Sequence, residues 1–321
     1  MQNSEFSKKY KEIIQPLEND FQLLDKSFEN YFSGLTTPEE KNEIILILKD
    51  FFSKKGKRIR SALIFLITRA LGKTVDDFCL NIAIATELIH NATLIHDDII
   101  DCASIRRGKQ TLNFEHDSKL AVLAGDYLLT EAINILSTIN EDNKGEQIRK
   151  IYTDCLSSLV KGELKQYFNR FKLLKIEDYI EKSQAKTGKL FEASIVVTYL
   201  RNDENNCKNI ENIKNFALNF GIMFQIKNDL DNLCYPEKIS EDINNGDYSA
   251  PIIFWAQEKK LKNDTLPSPE LIQKQLNQSE AIEKTKALLN YYSNKAIENI
   301  SFLEDNLYKQ TIIELCKLFV Q

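Results

Sequence analysis

At 321 residues the chain is long enough for two domains or for one large helical domain, and with only 10 glycines and six prolines it has few turns and long helices. Its 42 Lys+Arg against 47 Asp+Glu leave a formal charge of −5, which excludes a general nucleic-acid surface and confines any phosphate binding to local sites. The N-terminus MQNSEFSKKYKEIIQ has no apolar signal core and no run reaches the apolar length of a membrane span, so we expect no transmembrane segment and a cytoplasmic location.

Residues 5–33 carry Phe6, Tyr10, Ile13, Leu17, Phe21, Leu24, Phe28 and Phe32 at spacings of three and four, an amphipathic helical pattern interrupted at Pro16. Thr37-Pro38-Glu39-Glu40 supplies an N-cap, a proline at the first helical position and a glutamate at the third, opening a second helix through Leu48. Next, Lys54, Lys55, Lys57, Arg58 and Arg60 surround Gly56 just before an apolar helix. Basic side chains and backbone N–H groups at a helix start form an anion site, although a solvated basic loop has the same composition.

The stretch Thr86–Gly108, TELIHNATLIHDDIIDCASIRRG, is an apolar helix ending in carboxylates. Asp97 and Asp101 lie one helical turn apart, with Asp98 about 100° away. Like charges at that spacing repel, and the helix C-terminus disfavours negative charge. A hard divalent cation compensates for both, since clustered carboxylate oxygens suit Mg²⁺ bridged to substrate phosphates. Arg106 and Arg107 follow, with guanidinium forks that match phosphate oxygens. Read blandly, the stretch is a solvated acidic helix end beside a basic loop.

Helical patterns continue through 118–139, 146–171 (with Gly162, Glu163 and Gln166) and 176–199 (with Lys186-Thr187). After a polar loop at 202–209, a buried helix through Phe216, Phe220 and Phe224 ends in a second polar cluster, Asn228, Asp229, Asp231 and Asn232. Residues 249–321 read as further helices with a break near 263–268 and no chemical motif. Six cysteines are scattered without CxxC spacing and read as thiols.

The segment HNATLIHDDIIDCASIRRGKQT closely resembles the first aspartate-rich region of the trans-polyprenyl diphosphate synthases, long-chain type, a family that condenses isopentenyl diphosphate with allylic diphosphates. Further motifs occur in the family's order from about Lys55 to Pro251. The resemblance implies an all-α bundle of the isoprenoid synthase type, one domain over residues 1–321, around a central cavity with two acidic helix ends at its mouth. It also implies a homodimer and Mg²⁺ as cofactor. Lys57, Arg60, His90 and Arg107 then take the isopentenyl diphosphate, and Arg106, Lys186, Thr187 and Gln225 the allylic diphosphate, with Lys238 kept in the substrate-binding set. Asp97, Asp98, Asp101, Arg106 and Lys186 form the catalytic set. Asp97, Asp101, Asn228 and Asp229 form the metal set.

Three departures from the family pattern stand out. Ser61 replaces a usual proline; Asn228 and Asn232 replace carboxylates of the second region; and downstream, where the family has two glycine-lysine pairs, Lys238 follows Glu237 and Gly246 precedes Asp247. These changes put phosphate grip at that end in question and leave two other readings open: a catalytically weak partner subunit, and a class I terpene cyclase. The cyclase motif expects serine and glutamate where Asn232 and Pro236 stand. Thr93 and Ala92, one turn below Asp97, are small and leave a path for a long all-trans product, unless Ile89 or Thr86 closes it and the product is shorter.

Overall fold

The computed structural model describes residues 2–35, 43–53, 56–106, 108–139, 144–202, 209–261 and 267–321. The described residues are all-α apart from a hairpin of two two-residue strands, in line with the sequence expectation. The Thr37–Glu40 cap, Lys54, Lys55 and Arg107 lie outside the described residues. The chain divides into two compact units: Met1–Lys150 with Val197–Asp203 and Asn306–Thr311, and Ile151–Val196 with Glu204–Asp305 and Ile312–Gln321.

In the first unit, Pro16 does interrupt the N-terminal pattern, in a 3₁₀ turn Gln15–Leu17 between helices Gln2–Ile13 and Glu18–Gly34. Phe28 and Phe32 of the latter close on Phe52, with ring centroids 5.7 and 5.2 Å away. The buried Asp20 carboxylate takes both a 2.6 Å and a 3.2 Å bond from Arg69, a forked pair that ties this helix to helix Ile59–Ala70.

The central helix of this unit is Asp77–Ile100, capped by the Asp76 carboxylate accepting from Cys79 N at 3.0 Å. It is buried on nearly every side, and its main neighbour is helix Ser118–Thr138, itself capped by Asp117. Both helices are long and apolar enough to cross a membrane, which the sequence reading did not anticipate. In Asp77–Ile100, 78% of the most apolar window is buried within the protein, so burial in the core accounts for its composition. In Ser118–Thr138 the share is 44%, and Val122, Leu123 and Ile133 are exposed.

The second unit packs helix Ile210–Asn232 against Ala281–Asn299. Phe191, Phe220 and Phe319 form a line of edge-on rings with centroids 5.3 and 5.6 Å apart. The sequence pattern gives one continuous helix over 176–199. The structure instead has Ile176–Ser183, a π-helical turn Gln184–Gly188, and Lys189–Asn202.

Candidate active site

The acidic end of Asp77–Ile100 is closed by its own backbone. Asp101 N donates to Asp97 O at 2.9 Å, Cys102 adopts a left-handed φ of 53°, and Ala103 N reaches back to Asp98 O at 2.9 Å. The Schellman-type stop turns the chain into the hairpin Ile105–Arg106/Lys109–Gln110, whose turn passes through Gly108 at φ 76°. The hairpin brings Arg106 back over the helix, where its Nε donates to Asp98 Oδ1 at 2.6 Å. Asp98 is buried, whereas Asp97 and Asp101 are half-buried.

The three carboxylates therefore have unlike roles. Asp98 is bonded to an arginine, and Asp97 and Asp101 are the half-buried carboxylate pair one turn apart. Among the described residues no group of three or more His, Cys, Asp or Glu side chains is gathered to hold a metal by itself. Mg²⁺ does not require one: it keeps several waters and is usually bound by one or two carboxylates together with substrate phosphates. The donor chemistry of Asp97 and Asp101 fits that ion.

At the basic segment, the residues expected to act alike also separate. Arg58 takes a left-handed φ of 49° at the N-cap of Ile59–Ala70 and is paired with Asp25 at 2.5 Å, so it serves the fold. Lys57 is exposed, its ammonium 4.1 Å from the Phe6 ring centre and its carbonyl accepting from Tyr10 OH at 2.7 Å. Arg60 is buried in the first turn. Beside it Ser61 Oγ donates to Glu87 Oε1 at 2.8 Å, both side chains buried. That bond fastens the helix start to the turn that precedes the half-buried His90, and it gives the departure from proline a reason, since a proline has no hydroxyl to donate.

In the second unit, Lys186 and Thr187 stand in the π turn. An extra residue in a helical turn redirects the side chains around it, and such bulges recur at functional sites. The turn is made possible by a close crossing: a Cβ on Gly221 would lie 2.5 Å from Gly188 Cα. Lys186 is paired with Glu163 at 2.5 Å and donates to Gln166 Oε1 at 3.0 Å. Thr187 Oγ1 donates to Gln225 Oε1 at 3.1 Å, and Gln225 Nε2 donates to Asp229 Oδ1 at 2.9 Å.

Asp229 is buried, and its other oxygen accepts from Tyr179 OH at 2.7 Å and Ala250 N at 3.1 Å. Burial pushes its pKa up, against the lowering effect of those donors and of Lys182. The position expected to ligate metal thus points into the protein and uses its oxygens there. Ligation would require it to abandon these three donors. Asn228, its neighbour, is half-buried. Lys238 is exposed on helix Pro236–Asn244. Sequence reasoning missed Tyr179 and Lys182 and noted Asp247 only as a departure from the family pattern; their hydrogen-bond and ion-pair partners lie 50 or more residues away.

Residues 41–291 match the polyprenyl synthetase family. A decaprenyl-diphosphate synthase of Dictyostelium discoideum is 32% identical over 338 residues, covering 98% of this chain and 72% of that protein. Among solved structures, a decaprenyl diphosphate synthase from Rhodobacter capsulatus superposes with a TM-score of 0.84 at 22% identity, covering 97% of this chain and 98% of that one. A polyprenyl synthase from Caulobacter crescentus, complexed with calcium and isoprenyl diphosphate, gives 0.82 at 22% identity and 97% coverage of both chains. By the extent of the family match and the identity to a relative that aligns over nearly all of this chain, the chain belongs to the polyprenyl synthetase family.

Proposed function

We propose that the protein is a Mg²⁺-dependent trans-polyprenyl diphosphate synthase that adds isopentenyl diphosphate head-to-tail onto an allylic diphosphate. The observation that carries this reading is the end of Asp77–Ile100, where Asp98 holds Arg106 and Asp97, in the last turn, stands one turn from Asp101 at the C-cap. A chain needing only a helix has no use for two carboxylates at that terminus.

In this reading Asp97 and Asp101 are the metal ligands, and Mg²⁺ when bound neutralises the charge that builds on the leaving diphosphate. Arg106, Lys186, Thr187 and Gln225 orient the allylic diphosphate, and Lys57, Arg60, His90 and Arg107 hold the isopentenyl diphosphate. The allylic C–O bond breaks with its electron pair leaving on diphosphate, and the isopentenyl double bond supplies the pair for the new C–C bond. A proton is then lost to restore a double bond, with the released diphosphate as its acceptor. Asn228 contributes a neutral oxygen, a weaker ligand than the usual carboxylate.

We assign a long-chain product, supported by the small Ala92 and Thr93 below Asp97 and by the decaprenyl synthase relative. The exposed Val122, Leu123 and Ile133 on Ser118–Thr138 support a homodimer through that helix. A cytoplasmic location is consistent with Cys79, Cys102, Cys155, Cys234 and Cys316, which form no disulfide among the described residues. Purified protein incubated with isopentenyl diphosphate, Mg²⁺ and allylic starters of increasing length should yield elongated products. No product with any starter overturns the reading in favour of a partner subunit.

A further inference from the structure

Gln166 sits between two groups of opposite hydrogen-bonding capacity. Its Nε2 donates to Asp247 Oδ2 at 2.9 Å, and its Oε1 accepts from Lys186 Nζ at 3.0 Å. A carboxylate only accepts and an ammonium only donates, so a buried amide between them has a single satisfied orientation. The other Asp247 oxygen takes 2.6 Å from Lys182 Nζ. Burial, the largest influence on the Asp247 carboxyl, pushes its pKa up, but Lys182, Lys186 and Arg170 together outweigh it and hold it below the ordinary range. The group is an ionised acceptor at neutral pH.

Asp247 follows Gly246 where the resemblance leads one to expect a lysine. A lysine there would face Gln166 with donors alone, as Lys186 already does, and the amide oxygen could not serve both equally. The amide would turn its NH₂ toward one ammonium or the other.

We propose that Asp247 is a positioning residue for Lys186: acting through Gln166, it holds the amide oxygen against the Lys186 ammonium, while Lys182 supplies its counter-charge. The proposal rests on the assignment of Lys186 to a substrate diphosphate made above. In this chain a negative side chain improves anion binding at the neighbouring lysine, the opposite of what net charge alone predicts.

Calorimetric titration of inorganic diphosphate with Mg²⁺ into the full chain tests it, comparing wild type with Lys186→Met, Asp247→Lys, Asp247→Asn and Gln166→Leu. Lys186→Met and Asp247→Lys are each expected to weaken binding about tenfold, and Asp247→Asn, which keeps an acceptor for Gln166 Nε2, less than about threefold. In kinetics, Asp247→Lys should raise KM for the allylic substrate and leave KM for isopentenyl diphosphate unchanged. In the Gln166→Leu background, Asp247→Lys should cost nothing further, because the relay is already cut.

Binding by Asp247→Lys as tight as wild type or tighter, with Lys186→Met impaired, overturns the positioning role and leaves the proposed function intact. Unimpaired Lys186→Met overturns the diphosphate assignment and this proposal with it. Should the lysine variant not fold, Asp247→Leu is expected to weaken binding in the wild-type background and not in the Gln166→Leu background. Equal losses in both overturn the relay.

Discussion

Asp98 and Arg106 meet at 2.6 Å because the Schellman stop and hairpin fold the chain back on the helix it has just left. Asp98 is buried and the arginine side chain 34% exposed, so the pair fixes where the guanidinium points more than it stabilises the fold. Asp98→Asn keeps an acceptor for Nε and should retain most activity. Asp98→Ala should lower kcat/KM for the allylic diphosphate by more than about tenfold, a loss of ~1.4 kcal/mol in transition-state stabilisation. Steady-state kinetics of the two variants side by side check this, and equal losses would mean that charge, not orientation, matters at Asp98.

Asp97 and Asp101 should behave oppositely in stability and activity. Asp97 sits in the last turn of the helix and Asp101 at its C-cap, one turn from each other, so removing either relieves repulsion. Asp97→Ala and Asp101→Ala should melt at or above the wild-type temperature without Mg²⁺, yet lose turnover by at least about a hundredfold, or ~2.7 kcal/mol. Activity kept within tenfold would eliminate them as metal ligands.

The site was legible in the sequence where its signal is local. The Asp97–Asp98–Asp101 cluster and Arg106 lie within ten residues, and both helix period and charge mark them. Orientation was not legible. Nothing near Asp229 shows that it faces Tyr179 and Ala250 rather than an open mouth, and Asp247 gains Gln166 from 81 residues away. The break in the 176–199 helix is hidden for a related reason. A π turn adds one residue without altering composition, and the close crossing of its Gly188 with Gly221 comes from another helix.

That crossing can be tested at Gly221. Its added Cβ would stand 2.5 Å from Gly188 Cα and 2.9 Å from Gly188 N, both backbone atoms that cannot rotate away. Gly221→Ala should therefore destabilise the protein by ~1–3 kcal/mol, the usual cost of overpacking, and shift the turn that carries Lys186 and Thr187. Thermal melts measure the first effect and KM for the allylic diphosphate the second. A fully active variant of wild-type stability would show that the two helices separate easily.

Asp242 gives a pH signature. Burial, followed by the charges of Asp229, Asp247 and Glu241, raises its pKa to about 8 from an ordinary 3.8. The folded state thus binds a proton more tightly than the unfolded chain. Its contribution to stability is complete below about pH 4 and is lost as pH rises towards 8. Asp242→Asn should remove that slope: relative to wild type, its melting temperature should rise progressively between pH 4 and pH 8. Parallel melting curves against pH for the two proteins would exclude the assignment.

The product-length argument turns on which side chain below Asp97 has room. Ala92 is fully buried and Thr93 half-buried, its hydroxyl bonded to His90 O at 2.8 Å. Thr86 and Ile89, the deeper alternatives, are fully buried, and the Thr86 hydroxyl is used by Ile82 O at 2.7 Å. A ring at Ala92 would overpack the core and confuse folding with tunnel length. Thr93 is half-buried rather than enclosed, so a ring there overpacks less, and side chains on a helix lean toward its N-terminus, away from the carboxylates. Thr93→Phe should therefore shorten the product by several isoprene units while leaving KM for both diphosphates nearly unchanged. Sizing the products of wild type and variant from the same starter decides the matter. An active Thr93→Phe enzyme with an unaltered product distribution would move the growing chain to another face of the helix.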